Sequence, residues 1–343
     1  MDNRNEFRII IDDSFEDLRI DKLLAISPFM GENETNTSDD GSANGLSRSF
    51  IKKMIDNGDV LVNGKQVKAS LVPKYGDEIL LKLPEMIVPD IVAEDIPLDI
   101  VYEDDDVVIL DKPKGVLSQK AENTDISLNE MLIAYMTDKG ELSKEQMATF
   151  KPSMCNRLDR NTSGLICGGK TLKGLRGLSE LFRSRDLDKY YLCIVKGKIE
   201  KPQRIEGYLI KDEASNKVFV KPVSGYDAEN AKDKATKETD TKESKIVTEY
   251  KPLSYGEGCT LLEVKLITGK SHQIRAHLAS IGHPLAGDMK YGDEMFNREV
   301  RDKHKIKSQV LRAYRMVFPK DCGELAQLGG KEITLNKTDE FFI

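Results

Sequence analysis

The chain has 343 residues, of which 39% are hydrophobic and 32% charged, with a formal net charge of −6. That length predicts two domains. The lack of any apolar run of about 18 residues excludes a membrane-spanning helix, and the acidic balance argues against a chain that is basic over its whole surface. The opening Met1–Glu6 has no basic stretch leading into an apolar core, and the five scattered cysteines form no CxxC pair. The expected setting is therefore the reducing cytoplasm, without disulfides.

In chain order, Ile20–Ile26 reads as a short helix. The polar segment Gly31–Gly45 is rich in Asn, Ser and Gly and reads as a loop. Ser47 is a candidate N-cap for a helix over Arg48–Asp56, whose apolar face is Phe50, Ile51, Met54 and Ile55. Asp59–Val62 and Gln66–Val67 flank Asn63-Gly64, a hairpin signal, and Glu78–Lys82 follows as a further strand. Residues 85–96 form an acidic, proline-bearing linker. Val107–Leu110 is a buried strand that runs into Asp111-Lys112-Pro113, and Leu128–Met136 is helical. Leucines at 172, 175, 178 and 181 place a helix over Thr171–Arg183. Tyr190–Val195 and Thr260–Ile267 are dense in β-formers and read as central strands. Asp227–Lys245 holds six acids and five lysines and reads as a solvated excursion, and Ile333–Leu335 reads as a last strand.

The charges are unevenly placed. Nine acids and no Lys or Arg lie between Leu83 and Leu110. Bases gather at Arg48, Lys52, Lys53, Lys65 and Lys68, and again at Arg157, Arg160, Lys170, Lys173, Arg176, Arg183, Arg185 and Lys189. Attraction to phosphate decays within about 8 Å at physiological salt, so local sign outweighs the total.

The most informative stretch is Asn156-Arg157-Leu158-Asp159-Arg160-Asn161-Thr162-Ser163-Gly164-Leu165. It sets one carboxylate between two arginines, which favour the ionised form. Such an acid either fixes the arginines or acts as a nucleophile towards a bound polyanion. His272 and His277 lie five residues apart with no third ligand at metal spacing, so no metal is expected. Gly168-Gly169-Lys170-Thr171 lacks the first glycine of a phosphate loop.

The decamer resembles the catalytic motif of the RluA-type pseudouridine synthase family, with Asn156 where many members carry His. Lys189–Gly197, Thr268–Leu278, Gly282–Asp288 with Tyr291-Gly292, and Leu311–Arg315 resemble the other motifs of that family in order, and Lys112-Pro113 with Gly115 resembles its opening loop. Arg312 stands where the usual residue is His. Upstream, two helices and the hairpin around Leu61–Lys68 resemble an S-four-type RNA-binding domain.

The resemblance implies an α+β chain. A small N-terminal αL RNA-binding module (12–84) would be joined by the linker to a catalytic domain (97–343) with a long mixed, mainly antiparallel sheet. It implies isomerisation of specific uridines to pseudouridine in large-subunit 23S ribosomal RNA, free or in pre-ribosomal particles, by a cytoplasmic monomer without cofactor. It also implies that Asp159 attacks, Tyr191 stacks on the extruded base and Arg275 orients the carboxylate. Arg157, Arg160, Lys189, His272, Gln273, Arg48, Lys52 and Lys53 are the expected substrate and RNA contacts. The rivals are a non-catalytic RNA-binding or ribosome-assembly factor and a nucleoside or glycoside hydrolase that uses Asp159.

Overall fold

The computed structural model describes residues 6–11, 18–26, 48–82, 97–120, 125–143, 146–147, 150–212, 217–222 and 243–336. The expected loop 31–45, the cap Ser47, the linker 85–96 and most of the excursion 227–245 lie outside the described residues, as do the side chains of Arg48 and Ser49. Among the described residues no helix is long and apolar enough to cross a membrane. The chain divides into two compact units, residues 1–95 with 132–153, and residues 96–131 with 154–343.

The first unit contains β1 (Glu6–Ile10), α1 (Ile20–Ile26), α2 (Arg48–Asn57), β2 (Val60–Val62), β3 (Lys65–Gln66) and β4 (Glu78–Lys82). The four strands form an antiparallel sheet in the order β1-β4-β2-β3. Its core joins Leu23 and Leu24 of α1, Ile51 and Met54 of α2, and Val60, Ile79 and Leu81 of the sheet. That burial is what makes an amphipathic ten-residue helix stable here. Asn63 and Gly64 both have positive φ, as the tight hairpin turn demands. The unit begins before residue 12, because β1 pairs with β4 along its whole length.

The second unit contains β5 (Ile100–Glu103), β6 (Val107–Lys112), β8 (Ser163–Gly169), β9 (Asp188–Lys196), β10 (Gln203–Asp212), β11 (Lys217–Pro222), β12 (Ser244–Gly256), β13 (Cys259–Leu266) and β14 (Leu311–Val317). They form one sheet in the order β11-β10-β12-β13-β9-β14-β8-β6-β5, with β15 (Glu332–Thr334) beside β14 and β7 (Ser153–Met154) beside β8. The β14–β8 contact is parallel and the other neighbours along the main path are antiparallel. Helix α3 covers Leu128–Asp138. Helix α4 (Leu172–Ser184) starts at Thr171, whose hydroxyl accepts from Gly174 N. It packs Leu178 and Leu181 on Val107, Ile109 and Cys167. Helices α5 (Gln273–Ser280) and α6 (Glu294–His304) follow β13, and α6 buries Phe296 and Val300 against Leu192 and Ile194. The five cysteines are free thiols.

The acid-rich approach to β6 is partly neutralised within the fold. Lys170 pairs with Glu103 at 2.7 Å and Lys173 with Asp106 at 3.2 Å. Thr171 Oγ1 donates to Asp106 Oδ1, and Asp104 Oδ1 accepts the N–H groups of Asp106 and Val107. These acids anchor the start of α4, so two of the lysines assigned to a basic surface are engaged within the protein.

Candidate functional site

Asp159 lies in the turn before β8, and its neighbours are tied down from both sides. The buried ammonium of Lys112 donates to the carbonyls of Pro113, Val116 and Arg160 at 3.0, 2.8 and 3.0 Å. Gly115 N–H donates to the same Arg160 oxygen. Ser118 Oγ donates to Leu158 O and accepts from Leu158 N. The residues on either side of the carboxylate are thus stitched to the 113–118 loop. Burial lowers the Lys112 pKa to about 8, opposed by the charge of Asp159. Asn156, where the resemblance has His, accepts from Cys167 N at 2.9 Å and holds the far end of the turn. Gly164 has φ +111°, and a Cβ there would meet Ala313 O at 2.0 Å. Only glycine lets β8 approach β14 this closely.

The carboxylate of Asp159 meets Arg275 of α5, with Oδ2 2.7 Å from Nη1. Asp288 grips the other side of the guanidinium, accepting from Nε at 2.7 Å and Nη2 at 2.9 Å. Asp288 is held in turn by the N–H groups of Lys290 and Tyr291. The side chain of Asp288 is 0% exposed and that of Asp159 is 25% exposed. One acid is therefore a buried anchor and the other the reachable end of the chain. Burial acts to raise the Asp288 pKa, but the bonds and charge of Arg275 outweigh it and hold the carboxyl below its ordinary value. Burial likewise opposes the charge of Arg275, and its two carboxylates hold it above the ordinary value. The Tyr291 ring lies 5.2 Å from the guanidinium carbon.

His272 enters α5 in a left-handed conformation with φ 57°. Its Nδ1 is 2.8 Å from the Tyr291 hydroxyl and its Nε2 is 3.9 Å from Asp159 Oδ1. Tyr191 of β9 is 6% exposed and pairs between Val264 and Ala313. Burial, followed by the charge of Asp159, raises its pKa.

Two of the expected contacts belong elsewhere. Lys189 is buried, donates to Leu187 O at 3.1 Å and faces the Phe182 ring, with its pKa lowered by burial. Gln273 is 2% exposed and bonds Thr268, Thr248, Lys270 N and Val247 O. It therefore locks the turn into α5, and neither side chain can reach a phosphate from its site. Arg157 and Arg160 are exposed, and the ion pair of Asp159 is with Arg275 rather than with these neighbours. Lys52 and Lys53 are exposed on α2, in the first unit.

The sequence reading gave no role to Asp288, Lys112 or Tyr291. Asp288 and Tyr291 lay in quoted motifs, and only the fold shows one at the guanidinium and the other beside His272. The Arg312 guanidinium pairs with Asp111 through Nη2 and Oδ2, both side chains being 8% exposed. An ion pair thus occupies the positions of Asp111 and the expected histidine.

Residues 106–280 match the family model described as RNA pseudouridylate synthase. The chain belongs to this family. It is 33% identical over 252 residues to an uncharacterized RNA pseudouridine synthase of Aquifex aeolicus (strain VF5), covering 72% of this chain and 73% of that one. It is 32% identical over 252 residues to ribosomal large subunit pseudouridine synthase D of Xylella fastidiosa (strain Temecula1 / ATCC 700964), covering 73% and 68%. Human RNA pseudouridylate synthase domain containing 4 shares the fold, with a TM-score of 0.51 at 20% identity over 69% of this chain and 87% of that one. This pseudouridine synthase is an isomerase that converts uridine in RNA to pseudouridine.

Proposed function

We propose that the pseudouridine synthase acts on uridines of large-subunit ribosomal RNA, with Asp159 as the attacking carboxylate. The reaction breaks N1–C1′, turns the uracil and joins C5 to C1′. C5 loses its proton, N1 gains one, and no atom is added. Asp159 attacks the everted nucleotide, Arg275 aims and balances the acid, and Tyr191 packs on the base. Stacking of an extruded base is worth about 1–3 kcal/mol and offsets part of the cost of unstacking.

The observation that carries this reading is the Asp159–Arg275–Asp288 chain. It buries one acid completely and leaves the other open, whereas RNA binding alone has no use for a fixed carboxylate. The ribosomal target is supported by the name of the Xylella relative. The first unit serves in this reading as an S-four-type RNA-binding module, and the enzyme works as a cytoplasmic monomer.

The test incubates unmodified ribosomal RNA with the wild type and with Asp159→Asn, then maps carbodiimide-dependent primer-extension stops. Wild type gives discrete stops and Asp159→Asn none, with RNA affinity within a few fold. Release of free uracil by the wild type would turn the reading to a hydrolase.

A further inference from the structure

Three groups outside the attacking chain form a second line that ends at Asp159. The N–H of Val218 in β11 donates to the Tyr291 oxygen at 3.0 Å. Tyr291 faces His272 Nδ1 at 2.8 Å. Burial keeps the Tyr291 phenol protonated, with its pKa above the ordinary value. A phenol carries a single proton. Val218 occupies one acceptor position on that oxygen, and His272 Nδ1 is the acceptor within reach of the phenol proton. The opposite assignment would turn the Nε2 lone pair towards the Asp159 carboxylate, 3.9 Å away, and leave the phenol proton without an acceptor among the described residues. Nδ1 is then the acceptor, and the ring hydrogen sits on Nε2. Burial disfavours the doubly protonated ring, lowering the His272 pKa against the pull of Asp159. The Nε2–H faces Asp159 Oδ1 across 3.9 Å, too far for a hydrogen bond. The His272 side chain is 18% exposed. A donor without a hydrogen-bond acceptor among the described residues thus lies beside the reactive acid, and its tautomer is set from behind.

We propose that neutral His272 contacts the substrate, its Nε2–H donating a hydrogen bond to a carbonyl oxygen of the uracil held against Asp159, with Tyr291 as the positioning residue that sets the tautomer. This deepens the reading of Asp159 and rests on it. When N1–C1′ breaks, its electron pair stays with the uracil and spreads onto the carbonyl oxygens. A preplaced donor stabilises that charge more than it stabilises the bound uridine. The histidine hydrogen stays on Nε2, and no covalent bond at the ring forms or breaks.

Two experiments test it. The first records imidazole nitrogen shifts of ¹⁵N-histidine-labelled full-length protein at neutral pH. The protein has four histidines, and His272→Gln assigns the signal. The proposal requires the Nε2–H tautomer in the wild type and a mixed tautomer in Tyr291→Phe. An Nδ1–H tautomer or a cation in the wild type overturns it. The second measures single-turnover rates and KM for His272→Ala, His272→Gln and Tyr291→Phe. Loss of one such donor lowers rate by about a hundredfold. We expect that loss in kcat for His272→Ala with KM within a few fold, recovery of at least about tenfold in His272→Gln, whose amide N–H replaces Nε2–H, and an intermediate loss in Tyr291→Phe. An unchanged kcat in His272→Ala, or a defect confined to KM, overturns the proposal. If His272→Ala fails to fold, Tyr291→Phe and the wild-type spectrum still decide. Full activity in Asp159→Asn would sink the reading of Asp159 while leaving the histidine tautomer as measured, so the two failures are distinguishable.

Discussion

At the residue scale, Asp159 and Asp288 share one guanidinium but have different tasks. Removing one partner of a buried ion pair costs about 3–5 kcal/mol, because the other is left poorly compensated. Asp288→Asn should therefore lower stability by about 3 kcal/mol in urea unfolding. It should also cut the single-turnover rate by about a hundredfold, since an unanchored Arg275 lets Asp159 drift. Full activity at an unchanged midpoint would refute the anchor. A second residue gives a pH dependence. Burial lowers the His277 pKa to about 4, while its Nδ1 sits 3.0 Å from Thr248 Oγ1. The folded state thus binds its proton more weakly than the unfolded state, where the value is about 6.5. Stability from this group is intact above pH ~6.5 and falls by up to about 1.4 kcal/mol per unit as pH drops towards 4. His277→Gln should flatten that limb in pH-resolved melts, and an identical slope would show the ring to be solvated. The Arg275–Asp159 contact spans 116 positions, so local pattern could not reveal it. The resemblance to known motifs did. Nothing near Asp288 in the chain signals that its carboxylate is buried, and its role emerged only from the fold.

At the element scale, the strongly periodic segments were legible. The expected helix Thr171–Arg183 is α4 at Leu172–Ser184, the expected strand 190–195 is the core of β9, and the expected strand 260–267 is β13 shifted by one residue, at Cys259–Leu266. Strands β10, β11 and β12 went unread. They carry charged faces, with Arg204 bridging Glu206 and Glu249, and Lys245 bonded to Glu206. Their apolar alternation is diluted by pairs that form only once the strands lie side by side. The last strand falls one residue earlier than expected, at Glu332–Thr334. Gly164 tests how elements place the site, since it is where β8 meets β14 in parallel just after the Asp159 turn. An added methyl would collide with backbone rather than with a flexible side chain. Gly164→Ala should cost at least about 2 kcal/mol from backbone strain and reduce turnover by moving the turn. A melting temperature equal to the wild type would mean that the two strands separate freely there.

At the scale of the whole molecule, a net charge of −6 coexists with an enzyme that must hold a polyanion. The excess acid is partly spent inside the second unit, where Glu103 and Asp106 hold Lys170 and Lys173, so neither the total nor a tally of lysines along the chain describes the surface. The exposed ammonium groups of Lys52 and Lys53 on α2 are a better measure. Each lysine that neutralises a phosphate of single-stranded RNA adds about 0.7 to the slope of log affinity against log salt. If α2 contacts RNA, the double variant Lys52→Ala/Lys53→Ala should lower that slope by about 1.4, weaken binding and leave the single-turnover rate at saturating RNA unchanged, because neither residue belongs to the unit that holds Asp159. A salt titration of filter binding reads the slope. Weaker binding at an unchanged slope would make the loss conformational, whereas an unchanged slope and affinity together would place α2 away from the nucleic acid and move the electrostatic footprint to the exposed Arg157 and Arg160 beside the site.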